Sequence, residues 1–323
     1  MNTVKQLYMK AVHKGRSKLA YQLLPYVSLT QDETIVILKK SMHWKTTDWF
    51  MKLIHTLPED ETLLNDLLIK AISFNNKTAI KLLLQKGANP NAFNQYGQGT
   101  LHLAIKKEET DLEIIDLLVS AGANIEMLNQ DQLSPINKAV LFGEVKVVQY
   151  FENLGIPLDE NSLIKAVISN DETILNYLLS KNITPPLRAY YIAIFFDHYP
   201  AFFTLIKSHP PFTLTHNSQE NPLSLAIFKR RFDIFHILMN HLPDDIHKRR
   251  KICSEALIHA VLNGDLHLVP LLLKNGADIN FVSDGESILD IALTTKNSAA
   301  VTLIKNLGGR RYRVHQPVSE LHK

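Results

Sequence analysis

The chain has 323 residues with 35 Lys plus Arg against 32 Asp plus Glu, and this near balance (+3) excludes a global electrostatic attraction to nucleic acid or an anionic membrane. A single cysteine, Cys253, excludes an intrachain disulfide and fits folding in a reducing cytosol. No run approaches the roughly 18 apolar residues that span a bilayer, and Met1 to Lys10 lacks the apolar core of a secretory signal, so a soluble, cytoplasmic protein with no membrane span is expected.

From the N-terminus onward, one small residue recurs with a large side chain three positions before it. The pairs are Tyr8/Ala11, Leu38/Ser41, Leu68/Ala71, Leu101/Ala104, Ile136/Ala139, Leu163/Ala166, Tyr190/Ala193, Leu223/Ala226, Leu257/Ala260 and Leu289/Ala292. The small residues, or anchors, lie 27 to 35 residues apart, the mark of a stacked repeat. Each large/small pair predicts a first helix. An apolar pair twelve and thirteen residues after most anchors, such as Leu23-Leu24, Leu83-Leu84 and Leu272-Leu273, predicts a second. Four residues after the anchor, Gly15, Asn75, Gly143, Asn170 and Gly264 suit a sharp left-handed turn between the helices, and sixteen after it Gly87, Gly155, Gly276 and Gly308 close the second helix. Thr30-Gln31-Asp32-Glu33 has the form of a capping box, and Pro135 and Pro222 sit at first-turn positions. The interval of 35 after Ala104 absorbs two extra residues within Lys106 to Thr110.

A longer motif, Leu82-Leu83-Leu84-Gln85-Lys86-Gly87-Ala88-Asn89, returns at Leu117 to Asn124 and at Leu271 to Asp278. With Gly99-Thr100-Leu101-His102-Leu103-Ala104, Ser134-Pro135-Ile136-Asn137-Lys138-Ala139 and Asn221-Pro222-Leu223-Ser224-Leu225-Ala226, it resembles the ankyrin repeat, a β-turn plus two antiparallel helices with a Thr-Pro-Leu-His-x-Ala signature. The resemblance implies an all-α, ankyrin-like solenoid of about ten helix-turn-helix units. Two successive intervals of 27 leave too few residues for a projecting β-hairpin between Ala139 and Ala193, so only some hairpin fingers are expected. The array is assigned to residues 1–308, with divergent units at 1–60 and 140–215, and 309–323 form a basic tail or cap.

In ankyrin proteins the variable, solvent-facing positions of the concave side are the hairpin tips and the end of the first helix. The register places the latter two and three residues after each anchor. The resemblance therefore implies a partner-binding set of Trp44, Phe74, Lys106, Lys107, Phe142, Phe195, Phe196, Phe228 and Lys229, with Gln95 and Tyr96 at a tip. Tyr199 joins it from the aromatic run 190–203, in which Tyr190 and Phe203 are expected to point inward. Large aromatics with interspersed lysine suit interface anchors, and the competing reading is that the rings fill gaps between poorly matched helices. Exposure separates the two. The stretch without the Leu-rich motif, 140–215, is where bare inner helices and function are expected to coincide.

Chemistry has little to build on. Fourteen histidines include no His-Glu-x-x-His and no paired-Cys spacing, so no metal is expected. His102 occupies the ankyrin signature position, where the imidazole bonds the backbone of the adjoining hairpin. Cys253 with His259 lacks an orienting third group, and Gly97-Gln98-Gly99 reads as a hairpin turn. Lys248 to Lys251 follows Asp244-Asp245 and reads as a neutralised, solvated face, while Arg310 to Arg313 opens a tail that is either a cap or a short recognition peptide. The expected protein is a non-catalytic protein–protein interaction module, monomeric and without cofactor. An enzyme with a site embedded in the array, or a nucleic-acid binder using the basic clusters, are the alternatives. Stand-alone divergent arrays are similar to ankyrin proteins that bacteria living inside eukaryotic cells deliver into their hosts, which implies a host protein as partner and the host cytosol as destination.

Overall fold

The computed structural model describes residues 2–43, 47–211 and 221–312, with the backbone alone described at 2 and 47–50. Its chain divides into two compact units, Met1–Leu158 and Asp159–Lys323. The first unit holds five helix pairs: α1 (Asn2–His13) with α2 (Ser17–Leu23), α3 (Gln31–Ser41) with α4 (Thr47–His55), α5 (Glu61–Ser73) with α6 (Lys77–Gln85), α7 (Thr100–Ala104) with α8 (Leu112–Ser120), and α9 (Pro135–Leu141) with α10 (Val145–Asn153). Its first helices stack in order, α1 on α3, α3 on α5, α5 on α7 and α7 on α9.

The second unit repeats the plan with α11 (Glu160–Ser169) and α12 (Glu172–Ser180), α13 (Leu187–Phe195) and α14 (Tyr199–Ser208), α15 (Pro222–Phe228) and α16 (Phe232–Met239), α17 (Ile246–Asn263) and α18 (Val269–Lys274), and α19 (Ile288–Thr294) and α20 (Ser298–Asn306). Here α11, α13, α15, α17 and α19 stack in sequence.

All ten anchors and all ten large partners are buried, because first helices approach closely only where a small side chain faces a neighbour. In α6, α10, α12, α14, α16 and the α18 segment a triplet at eight, nine and twelve residues after the anchor is buried, as in Ala79, Ile80 and Leu83, or Ile174, Leu175 and Leu178. The residue thirteen after the anchor, paired with the twelfth in the sequence pattern, is only half-buried at Leu84, Leu179, Met239 and Leu273. Phe203 departs from expectation for the same reason. Phe202 occupies the buried ninth position, which turns Phe203 outward to 49% exposure.

Six first helices, α1, α5, α9, α13, α15 and α17, end in the same hydrogen-bonded turn. The N–H five residues after the anchor donates to the anchor's own carbonyl, as in Arg16 to Ala11, Asn76 to Ala71, His198 to Ala193 and Asp265 to Ala260, at 2.8–3.0 Å. That closure requires a left-handed residue just before it. Gly15, Asn75, Gly143 and Gly264 supply it, but so do Asp197 (φ 61) and Arg230 (φ 57); Asn170, Glu108 (φ 63) and Lys296 (φ 53) are left-handed at the same register position. A side chain in this conformation costs roughly 1–2 kcal/mol, so at four joints that conformation is imposed by packing against residue preference.

The recurring Gly-Ala-Asn/Asp motif also has a mechanical account. Asn89, Asn124 and Asp278 each accept the N–H two residues on. The asparagine at that next position bridges to the following repeat: Asn91 donates to the Gly122 carbonyl and accepts from Asn124 N–H, and Asn280 accepts from Arg310 N–H. Fingers follow at some joints only. Antiparallel β1 (Val282–Ser283) and β2 (Glu286–Ser287) turn at Asp284 and Gly285, both left-handed as a tight hairpin demands. Phe93 and Gly99 form a single bridge. At its tip Gly97 is left-handed, and a side chain there would meet the Gln130 Cβ at 2.9 Å, so glycine is required twice over. Between α10 and α13 the described residues contain no strand.

Candidate protein-binding surfaces

In the second unit, the residue two after each anchor lies at the C-terminal end of a first helix. Ile168, Phe195, Phe228 and Leu262 occupy it with 39%, 51%, 56% and 47% exposure, an apolar ladder over four successive repeats. Phe196, one residue further, is exposed as well and meets Phe195 edge-on with centroids 5.2 Å apart. The Lys229 ammonium sits 3.5 Å from the Phe195 ring centre, a cation held over the aromatic face. Several polar groups beneath are engaged across repeats. His198 Nδ1 is 2.9 Å from the Val167 carbonyl and Asn263 donates to that of Ile227, so helix ends that would otherwise need water are capped from the next repeat. Arg231 pairs with Asp197 at 2.9 Å and Arg230 with the buried Asp265 at 2.7 Å, which pins two of the left-handed turns. Tyr199 is exposed on α14 and stacks with Phe203, 6.3 Å apart and 14° from parallel, away from the first-helix ladder.

The first unit presents different chemistry at the same register. Phe74 is exposed and faces His43 at 6.1 Å, while Phe142 is half-buried with the Lys138 ammonium 5.2 Å from its centre. Lys106 is not held out to solvent: its ammonium donates to the Ile72 and Ser73 carbonyls at 3.2 and 3.0 Å and to Asn75 Oδ1 at 2.6 Å, closing the end of α5. Burial pushes its pKa down. Lys107 beside it is exposed, as are Gln95 and Tyr96 on the hairpin tip, where Asn94 Oδ1 accepts the Tyr96 N–H. Trp44 lies outside the described residues. The described residues named from sequence are thus distributed over four places: the ladder of the second unit, the first-helix ends of the first, one finger, and α14, which carries Tyr199. Ile168 and Leu262 stand at the same solvent-facing register position, two residues past their anchors, but the binding set inferred from sequence favours aromatics and lysines and omits them.

His102 is buried, and its Nε2 lies 2.7 Å from the Leu133 carbonyl in the following finger, the contact the signature histidine implied. Desolvation lowers its pKa, outweighing the bond to Leu133, and the Lys138 charge lowers it further; burial lowers that of His259 too. A histidine held neutral in the fold but free to protonate when unfolded stabilises fully above its ordinary pKa of about 6.5 and progressively less below it, since the unfolded state then binds more protons. Urea midpoints should therefore fall between pH 7.5 and 5.5, and His102→Gln should flatten that dependence; equal slopes would remove His102 as its source.

The pairing of Cys253 with His259 as a nucleophile finds no support in the geometry. Cys253 is fully buried and burial pushes its thiol up to about 11, so the thiolate that a nucleophile requires is scarce at neutral pH. No group of three or more His, Cys, Asp or Glu side chains is placed to hold a metal among the described residues. No helix of the described residues is long and apolar enough to cross a membrane. The first basic cluster is neutralised, Arg249 by Asp244 and Arg250 by Asp278 at 2.6 Å. At the start of the tail, Asp290 accepts from Ser287, from Arg311 at 2.7 Å and from Tyr312 N–H. Although burial opposes it, those donors hold the Asp290 carboxyl well below the usual range.

Two comparisons bear on these surfaces. An ankyrin repeat protein of Fowlpox virus (strain NVSL) is 28% identical over 123 residues, which is 37% of this chain and 36% of the relative. The family described as "Ankyrin repeats (3 copies)" matches residues 8–129 and 101–189, together more than half of the chain, over helix pairs whose anchors, left-handed turns and His102 contact are those set out above. On that match the chain belongs to the ankyrin-repeat family.

Proposed function

We propose that this ankyrin protein is a non-catalytic binding module whose principal contact surface is the apolar ladder of the second unit. Ankyrin repeats generally mediate protein–protein interaction, and the observation that carries the finer reading is the exposure of Ile168, Phe195, Phe228 and Leu262 at one register position in four consecutive repeats. Scattered surface apolars are ordinary, whereas a row of them without a cover favours a partner. Phe196 and the Lys229 cation add an aromatic edge and a charge at the rim, a composition suited to interface anchors. Phe74 and the finger residues Gln95 and Tyr96 offer a second, smaller contact in the first unit. A relative in a virus supports host-cell proteins as the pool of partners and the host cytosol as the place of action, a reading that delivery by an intracellular bacterium would equally satisfy.

Affinity capture from eukaryotic lysate with the full chain is the test. Against wild type, a Phe195→Ala, Phe228→Ala, Leu262→Ala variant should lose at least about tenfold of its specifically captured protein, since hot-spot truncations cost upward of ~1–2 kcal/mol each. Unchanged capture by a variant with an unaltered circular dichroism spectrum would remove the ladder as the contact surface.

A further inference from the structure

The residue immediately before the anchor separates the two units chemically. In the first it is Lys10, Lys40, Lys70 and Lys138, with Leu103 between; in the second, after Lys165, it is Ile192, Leu225, His259 and Ile291, with no further lysine. A lysine near a helix C-terminus complements the macrodipole, and that alone could place a cation in each last turn. It does not account for the division. At this register position α1, α3, α5, α9 and α11 carry lysine, whereas α13, α15 and α19 carry an aliphatic residue and α17 carries His259, though their dipoles are the same in kind. Nor would it set lysine repeatedly at one register position.

These cations are also uncompensated. Lys10 and Lys14 are exposed and Lys70 half-buried, none of them in an ion pair among the described residues. Lys40 reaches only His13 Nε2, 3.0 Å away, and no carboxylate. The nearby carboxylates are taken by other lysines, Glu33 by Lys5 at 2.7 Å and Asp66 by Lys39 at 3.4 Å. Lys138 is different, its ammonium closing the end of α7 through the His102 carbonyl, so the free rungs are those of α1, α3 and α5.

Successive first helices pack about 8–10 Å apart, which sets the spacing of the rungs. Seven residues of an α-helix advance about 10.5 Å and return to nearly the same face. An extended strand covers the distance in about three residues, an odd number that turns alternate side chains away. Arginine, whose planar fork suits phosphate, occupies none of the rungs. Beside them the exposed Phe74 ring against His43 gives an apolar floor. We infer that the lysine ladder of the first unit docks an acidic amphipathic helix of a partner protein, with one carboxylate at every second turn meeting Lys10, Lys40 and Lys70 in succession.

The probe is a fluorescent, helix-stabilised peptide with glutamate at every seventh position, compared by anisotropy with a permuted peptide of identical composition and with a short DNA duplex, on the full chain. The ordered peptide should bind about tenfold more tightly than the permuted one, and more tightly than the duplex at physiological salt. A Lys10→Gln, Lys40→Gln, Lys70→Gln variant should lose about tenfold in affinity, as three partly exposed pairs allow, and the corresponding Lys→Arg variant should retain it. The ladder variant Phe195→Ala, Phe228→Ala, Leu262→Ala should bind the peptide as wild type does, which keeps this outcome separate from that of the second unit. Equal binding of both peptides, preference for the duplex, or an unaffected Lys→Gln variant would each overturn the inference.

Discussion

Replacing Phe235 by alanine should destabilise the protein by about 3–5 kcal/mol, while Phe228→Ala, seven residues earlier in the same helix pair, should cost less than about 0.5 kcal/mol. Both are phenylalanines on short helices, but Phe235 is fully buried at the ninth position after its anchor, and Phe228 is 56% exposed at the second. Truncating the buried ring leaves a cavity that close-packed neighbours on α15 cannot fill. Because each helix pair is stabilised chiefly by its neighbours, the loss should also spread, broadening the urea transition followed by circular dichroism. A large effect of Phe228→Ala on stability would assign that ring to the core and withdraw it from the binding surface.

The second large effect is expected at Asn221, and it is polar. Its Oδ1 accepts from Leu223 N–H at 3.0 Å and, more weakly, from Ser224 N–H, capping α15, while its amide donates to the Ile252 carbonyl and to Glu255. One buried side chain thus serves a helix start and the next repeat's first helix together. Asn221→Ala removes the cap and leaves buried groups unpaired, for about 2–4 kcal/mol in all. Asn221→Asp separates the two roles, since it keeps the cap acceptor, loses the donor, and sets a second carboxylate against Glu255, whose pKa burial already raises. That variant should lie below wild type and recover as pH falls and one carboxyl protonates; thermal melts at pH 7 and 5 would show it. Equal stability of Asn221→Ala and wild type would mean that solvent satisfies the groups now bonded to it.

Much of this architecture could be read before the structure. The large/small pairs marked every first helix, and the capping box at Thr30 and Glu33 forms with both its bonds. The glycines and asparagines four residues past the anchors take the left-handed conformation wherever described. Those features are legible because each rests on one residue's own size, backbone freedom or hydrogen-bonding groups. Glu108, Asp197, Arg230 and Lys296 take the left-handed conformation without the residue type that announces it, since the stacked neighbours, and at Asp197 and Arg230 the closing hydrogen bond, outweigh their preference.

The surface was less legible than the core. A ring two residues past an anchor and a ring nine past it look alike in composition, and only the angle at which the second helix returns decides that Phe202 is covered and Phe203 is not. Lys106 and Lys107 are adjacent and chemically identical, yet one ammonium closes α5 and the other meets solvent, because the carbonyls left free at that helix end lie within reach of the first alone. By itself, then, the amino-acid sequence determined the repeat, its helices and its turns, all set by interactions over a few residues. Only the tertiary structure decided which lysines and aromatics remain available to a partner, because that depends on unsatisfied groups and packing contacts supplied by the next repeat, some thirty residues away along the chain.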